Sequence, residues 1–199
     1  MLKTFDVLSG QIRISDPCYK QRPDSLATVL LLKAKKGRWI VEAEKDEKVY
    51  EDVIAKIVAY YDEQQSKIAG FDDGESDFNK VLAMMMAKNT DSIEEDKTYA
   101  SVESGQIGIF DNKSYRDNNI VSNIERVSSK IVCEDEPWYS ICCDRSLSED
   151  RWGIVPNGCV SSSSKSGNVE VVTHTNSYKE VVKIEINFEN NVEIKEEEE

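Results

Sequence analysis

The chain has 199 residues, with 38 acidic and 25 basic side chains and a formal net charge of −13 at pH 7. This length suits one domain, or two small halves that share a core, and no apolar run approaches the ~20 residues that span a bilayer. Because so acidic a surface repels phosphate backbones and anionic lipid headgroups, the composition argues against nucleic-acid and membrane partners.

Polar and apolar residues alternate from Gln11 to Ile14, which predicts a first strand with one buried face. The dipeptide Asp16-Pro17 ends this strand, since proline cannot donate to a strand ladder. The next run, LATVLLLKAKKGRWIVEAEK, is typical of a β-hairpin whose turn contains Gly37. We expect the lysines at its tip to be solvated, and we keep a ligand-binding role for them as the lesser alternative.

The apolar spacing of residues 53–61, VIAKIVAYY, suits a helix and a buried strand about equally. Residues of about 75–89 differ, because their apolar side chains recur at helical intervals and predict one amphipathic helix. We expect the methionines of this helix to pack on the domain's own core, and an adaptable groove for a partner is the alternative.

The second half of the chain is predicted to be rich in short strands. The runs KIVCEDEPWYSICCDRSL and GIVPNGCV predict strands around turns, and SSSSKSGN predicts a loop. The runs VEVVTHT and EVVKIEINF predict a last β-hairpin around NSYK. Residues 191–199 form an acidic tail.

One unusual phrase occurs twice, as SGQIRISDPCY from Ser9 and as SGQIGIFDNKSY from Ser104. Its glycine permits a backbone bend, its isoleucines can face a core, and its aspartate can hold the amides of the turn that follows. In addition, VIAKIVAYY aligns with EVVKIEINF, which alternates like a strand. This alignment predicts that residues 53–61 also form a strand.

The repeat leads to a fold class. We predict a mainly β protein of the β-rich α+β class, built from two related antiparallel β halves with an approximate two-fold repeat. The halves cover residues of about 1–63 and 100–190, and the helix lies between them at about 75–89. Residues 1–190 then form a single domain, which the acidic tail follows.

Five cysteines occur at irregular spacing, and two of them are adjacent. Their odd number argues against a disulfide framework, and the lack of a Cys-x-x-Cys pair argues against structural zinc. The N-terminus has no apolar stretch or cleavage site typical of a signal peptide. We therefore predict reduced cysteines in a cytoplasmic protein with no metal and no cofactor.

In these motifs the chain resembles a β-rich domain family of unknown function from bacteria, phages and some protists. That family carries the phrases SGQ…ISDPCY, GRVAELIAYH, VDSGQxGIFD, WYxxCCDLTL and GVVSSSGxGDGxY before a closing IxF. The corresponding phrases here lie at residues 9–19, 53–61, 102–111, 138–147 and 158–163, followed by Phe188. The family's GxGDGxY loop is degenerate here, with Gly167 at its aspartate and Glu170 at its tyrosine position. The resemblance implies the β-rich fold and implies no activity.

No catalytic residue is predicted. The only histidine, His174, is expected at the surface rather than as a base beside a cysteine or serine nucleophile.

The favoured function is a non-catalytic binding or interaction protein that engages or sequesters a partner protein, or is a subunit of a larger assembly. The alternative is a small-molecule-binding or hydrolytic site at the junction of the halves. We favour a structural role for the repeated aspartates, but the candidate binding residues are Asp16, Tyr19, Asp111, Tyr115, Ser161, Ser162 and Ser163.

Overall fold

The computed structural model describes residues 3–20, 28–46, 53–71, 93–122, 135–163 and 166–189. In these residues the predicted fold class is confirmed, because the chain is mainly β and its strands form two antiparallel sheets. The helix predicted over residues 75–89 and the acidic tail lie outside the described residues. No helix among the described ranges is long and apolar enough to cross a membrane.

The strands of the described residues are β1 (Lys3–Val7), β2 (Ile12–Ser15), β3 (Val29–Leu31), β4 (Gly37–Lys45), β5 (Ile54–Tyr61), β6 (Glu94–Val102), β7 (Gln106–Asp111), β8 (Trp152–Val155), β9 (Gly158–Ser162), β10 (Gly167–Thr175) and β11 (Val181–Asn187). Two α-helices accompany them, α1 (Glu63–Ile68) and α2 (Pro137–Ser146), together with one turn of 3-10 helix at Asn118–Ile120.

The two sheets share one hydrophobic core. A six-stranded sheet has the order β1-β4-β5-β11-β10-β6, and a five-stranded sheet has the order β3-β2-β7-β9-β8. Alternate residues of β2 and β7, including Ile14 and Ile109, lie in the same core cluster as Trp39, Ile57 and Ile184 of the larger sheet. The isoleucines of both SGQ phrases are therefore buried between the sheets, as their alternation predicts.

Helix α2 covers the outer face of the five-stranded sheet. The rings of Phe110, Tyr115 and Trp138 meet there with centroids 5.1 to 5.3 Å apart. Glycine at position 108 is needed beneath them, because a Cβ atom on Gly108 would lie 2.2 Å from Cζ of Phe110. This helix occupies residues predicted to be short strands, so that prediction is wrong; Pro137 starts the helix, and its buried residues recur at helical spacing.

The prediction of a β3–β4 hairpin is also wrong. Strand β3 pairs with β2 in the smaller sheet, whereas β4 pairs with β1 and β5 in the larger one. Residues 32–36 instead carry the chain from one sheet to the other. The strand predicted over residues 53–61 is confirmed as β5, and the last hairpin is confirmed as β10–β11.

Strand pairs of the first half have equivalents in the second half, and the equivalent residues pair in the same register. Exchanging β1 with β6, β4 with β10 and β5 with β11 reverses the order of the larger sheet and leaves its neighbours unchanged. The centre of the β2–β7 pair is Ile14 opposite Ile109, which are equivalent residues of the two phrases. Irregularities of register also fall at equivalent places, after Glu44 and after His174. These correspondences support the two-fold repeat, which stays a prediction.

Candidate functional site

The two repeated aspartates are fully buried, and each binds the opposite phrase. Oδ2 of Asp111 accepts hydrogen bonds from the backbone N–H groups of Leu8 at 2.9 Å and Ser9 at 2.7 Å, and from Oγ of Ser9 at 2.8 Å. Asp111 is 0% exposed. The carboxylate that ends the second phrase therefore fixes the start of the first.

Asp16 makes the reciprocal contacts. Its Oδ2 accepts from the backbone N–H groups of Glu103 at 2.9 Å and Ser104 at 2.6 Å, while its Oδ1 accepts from Oγ of Ser104 at 2.6 Å. It is likewise 0% exposed. We name these two sets of contacts the crossed aspartate clasp. The burial and the filled acceptor sites of both carboxylates support the structural role of the phrase.

Each aspartate also holds its own turn, as the sequence predicts. Oδ1 of Asp111 accepts from the backbone N–H and the hydroxyl of Ser114, and Oδ1 of Asp16 accepts from the N–H of Cys18. The two carboxylates lie at opposite ends of the β2–β7 pair. Asp111 pairs with Ile12 at the start of β2, whereas Asp16 follows Ser15 at the end of β2. The structure therefore does not bring them into one site.

The repeated tyrosines lie near the Asp16 end. The hydroxyl of buried Tyr115 donates to the backbone oxygens of Asp16 at 3.2 Å and Tyr19 at 2.8 Å. The hydroxyl of Tyr19 lies beside Glu103, and burial together with this carboxylate raises its pKa. Tyr115 thus joins the end of the second phrase to the turn that follows the first.

The predicted serines occupy β9 and the residue after it. Ser161 is buried, and its hydroxyl donates to the backbone oxygen of Ser162. The hydroxyl of Ser162 donates to the backbone oxygen of Arg151. The N–H of Ser163 donates to the oxygen of Gly105. These serines therefore lie beside the second phrase, near the Asp16 end, and apart from Asp111.

Arg13 of β2 is a buried cation that the sequence did not single out. It is 4% exposed, and its guanidinium carbon lies 4.6 Å from the ring centroid of Tyr115. Among the described residues, its Nε and Nη1 atoms have no hydrogen-bond partner. The alternation of β2 places it on the outer face of the smaller sheet, where it stacks on Tyr115.

A cleft of about 540 Å³ opens where the first SGQ phrase meets the connection between β3 and β4. Both halves of the chain contribute to its lining. The lining residues are Ser9, Gly10, Leu32, Lys33, Ala34, Lys35, Lys36, Gly70, Phe71 and Glu180. Lys35 and Lys36, which the sequence predicts at a solvated hairpin tip, lie with Lys33 on the wall of this cleft.

Backbone hydrogen bonds hold this wall from two sides. The N–H of Ala34 donates to the oxygen of Gly10 at 2.8 Å, and the N–H of Lys35 donates to the oxygen of Val181 at 2.9 Å. The N–H of Val181 in turn donates to the oxygen of Lys33 at 2.8 Å. In addition, the indole Nε1 of Trp39 donates to the oxygen of Lys35 at 3.0 Å. The wall is therefore formed before any ligand arrives.

The lysine ammonium groups differ in their partners. Nζ of Lys33 donates to the backbone oxygen of Tyr178, and Nζ of Lys35 lies 3.6 Å from Oε2 of Glu180. The side chain of Lys36 crosses over Gly10, where a Cβ atom would lie 3.0 Å from its Cε. One carboxylate thus faces three ammonium groups on the lining.

The other candidates for chemistry are poorly suited to nucleophilic attack. Burial raises the pKa of the Cys142 thiol well above its usual value and that of Cys159 to about 12. Burial and the Asp16 carboxylate raise the pKa of Cys18 to about 11. These thiols are protonated at neutral pH, and the thiolate is the reactive form. Nε2 of His174 lies 3.0 Å from Oε1 of Glu185.

Glu185 also receives hydrogen bonds from two lysines, Lys56 and Lys183. Burial opposes its charge, but these lysines lower the pKa of Glu185 to about 2. His174 therefore belongs to an ion-paired cluster on the larger sheet. Within the described ranges, no group of three or more histidine, cysteine, aspartate or glutamate side chains could hold a metal ion.

Comparisons of the chain with protein-family models, with curated proteins and with solved structures find no match. The resemblance to a β-rich family of unknown function therefore remains a prediction that rests on the motifs alone. The cleft and the crossed aspartate clasp are the two features of the structure on which a functional proposal can be built.

Proposed function

We propose that the protein is a non-catalytic binding protein whose ligand is a small molecule held in the cleft beside the first SGQ phrase. The cleft itself carries this proposal. Its volume of about 540 Å³ falls within the range of roughly 300 to 1,000 Å³ that is usual for small-molecule sites. Its wall is fixed by backbone hydrogen bonds, so little ordering is needed when a ligand binds.

The position of the cleft supports the small-molecule alternative over a protein partner. Ser9, Gly10 and the lysine connection come from the first half, and Glu180 comes from the turn between β10 and β11 in the second. The cleft thus lies where segments of the two halves meet, but it contains none of the predicted site residues Asp16, Tyr19, Asp111 and Tyr115. A concave surface with polar groups from several segments suits a compact ligand better than a flat protein surface.

Two observations favour binding over catalysis. The carboxylates of Asp16 and Asp111 are buried and already accept several hydrogen bonds each, so neither can serve a substrate. The described thiols with raised pKa are held in their unreactive form. The lining of the cleft adds hydroxyl, ammonium and carboxylate groups that can orient a ligand.

Native mass spectrometry of the purified protein tests the proposal. We expect a retained small molecule on the wild type and its loss from Leu32→Trp, which fills the cleft. Leu147→Trp is the matched control, because Leu32 is 67% and Leu147 60% exposed and the latter lies after α2, outside the lining. A co-purifying protein in place of the small molecule, or equal retention by both variants, would contradict the proposal.

Thermal unfolding in the presence of pooled metabolites provides a second measurement. A ligand at about 100 times its Kd stabilises the folded state by about 2.7 kcal/mol. For a chain of this size, that corresponds to a rise in Tm of roughly 5 to 11 °C. We expect the rise in the wild type and in Leu147→Trp only. Absence of both a retained mass and a rise in Tm would refute a small-molecule site.

A further inference from the structure

We propose that the ligand of the cleft is a small organic anion, bearing phosphate or carboxylate groups, and that Lys33 and Lys36 recognise its charge. This inference rests on the proposed function and adds the chemical class of the ligand. Lysine ammonium groups bind such anions as point charges with freely rotating donors. The lining offers three of them within one concave surface.

The charges of the cleft do not cancel. Lys35 lies 3.6 Å from Glu180, so these two charges offset each other. Lys33 donates to a backbone oxygen, which carries no net charge, and it forms no ion pair with a carboxylate in the described part of the chain. Lys36 likewise lines the cleft without a carboxylate partner among the described residues. The described lining residues thus carry a surplus of two positive charges, in a chain whose formal net charge is −13.

Gly10 positions one of these charges. Its backbone has φ of 73°, and the side chain of Lys36 crosses the space where a Cβ atom would stand. Lys36 is exposed, and this contact lays the stem of its side chain along the wall of the cleft. The glycine of the first phrase therefore has a second use, beyond the bend that leads into β2.

The second half provides an internal comparison. Leu31 pairs with Ile12 and Ser161 pairs with Ile107, so LLKAKKG and SSSSKSG start at equivalent register positions. Two of the three lysine positions of the first segment are serine in the second. Among the described residues, a Cβ atom on Gly105 would meet only the oxygen of Ser163, at 3.8 Å.

This difference separates function from fold. Gly37 and Gly167 both begin strands with positive φ, of 136° and 117°, and pair with Val7 and Val102. Serines at the equivalent positions therefore accompany the same strand pairing in the second half. The fold does not require lysine at positions 33 and 36, and an anionic ligand accounts for their presence in an acidic chain.

Isothermal titration with inorganic pyrophosphate and with citrate tests the inference on the full chain. We expect at least one of them to bind the wild type, and the affinity to fall as the KCl concentration rises. Lys33→Gln with Lys36→Gln should weaken binding by at least about tenfold, since each lysine donates a charged hydrogen bond to the anion. Comparison of the two probes distinguishes phosphate from carboxylate as the preferred group.

The control is Lys20→Gln, which removes one of the two charges that the double variant removes, from a side chain that is 83% exposed. Lys20 follows β2, whereas Gly10 precedes it, so the control lies at the other end of that strand. Equal binding by the double variant and the control would overturn the inference. So would a neutral molecule retained in the native spectrum with no binding of either anion, and that result would leave the proposed function standing. Failure of every binding measurement would remove both.

Discussion

Asp111→Asn is the substitution that most directly probes the crossed aspartate clasp. Asparagine has the shape of aspartate, but one of its two terminal atoms is an N–H donor. If its oxygen takes the place of Oδ2, the three hydrogen bonds from Leu8 and Ser9 remain but lose the strength of a charged acceptor. Its amide group then faces the N–H of Ser114, a donor against a donor.

The expected loss of stability follows from these contacts. A hydrogen bond to a charged group contributes about 1.5 to 3 kcal/mol and a neutral one about 0.5 to 1.5, so each of the three bonds loses about 1 kcal/mol. Asp111→Asn should therefore lower the free energy of unfolding by about 3 kcal/mol. An aspartate that held only its own turn would cost about 1 kcal/mol. We expect a similar loss for Asp16→Asn.

Urea unfolding followed by circular dichroism measures these values, with exposed Asp135→Asn as the control that leaves the midpoint unchanged. A double-mutant cycle tests the crossing itself. Asp111→Asn and Ser9→Ala should couple by about 0.5 to 3 kcal/mol, whereas Asp111→Asn and Ser104→Ala should add within about 0.5 kcal/mol. A loss of 1 kcal/mol or less for Asp111→Asn, or coupling to the wrong serine, would refute the reasoning.

Three further predictions concern other parts of the molecule. The ion pairs of Glu185 lower its pKa from 4.5 to about 2 in the folded state, so its contribution to stability is full above about pH 4.5 and is lost as the pH falls toward 2. In a plot of the urea midpoint against pH, Glu185→Gln should therefore reduce the fall of the midpoint between about pH 4.5 and 2. Cys18, with a pKa of about 11, should react slowly with a thiol reagent at pH 8 in the native protein, while the unreduced, denatured chain should titrate five free thiols. Gly108→Ala should cost about 1 to 3 kcal/mol, because its Cβ would overlap a ring and a backbone oxygen. Gly153→Ala should cost less in the same urea assay, because its Cβ would meet the flexible side chain of Arg145, at 2.9 Å.

The sequence predicts the fold class because the alternation of polar and apolar residues that identifies a strand is a local pattern. The alternation of β2, β7 and β11 specifies which residues enter the core, and the aligned KI segments identify β5. The prediction that each aspartate holds its own turn is confirmed. The hydrogen bonds that each carboxylate accepts from the opposite phrase could not be predicted, because they join residues about 100 positions apart.

The two wrong elements fail for different physical reasons. Helix α2 contains Trp138, Tyr139 and Ile141, whose β propensity outweighed the helical spacing of its buried face. The run from β3 to β4 has the local pattern of a hairpin. Local pattern does not distinguish a strand that pairs with its neighbour from one that crosses to another sheet.

The only sign of the candidate site in the sequence is a local excess of lysine. Three lysines before Gly37 stand out in an acidic chain, yet nothing in their spacing shows that Glu180 and Phe71 would close a cleft around them. The signal that could have found them is the difference between LLKAKKG and SSSSKSG at equivalent places in the repeat. Reading the repeat for its differences, rather than its likeness, would have drawn attention to Lys33 and Lys36.

The crossed aspartate clasp also sets an order of events during synthesis. Asp16 leaves the ribosome 88 residues ahead of the Ser104 amide that it binds. At about 5 to 20 residues per second, this amounts to roughly 4 to 18 s in which a carboxylate that is buried in the folded protein lacks its partners from the second phrase. Each aspartate can hold its own turn alone, but its crossed hydrogen bonds need amides from the other half. Folding of the β2–β7 pair therefore waits for the second phrase, and the chain should fold slowly, as a single cooperative unit dominated by distant contacts.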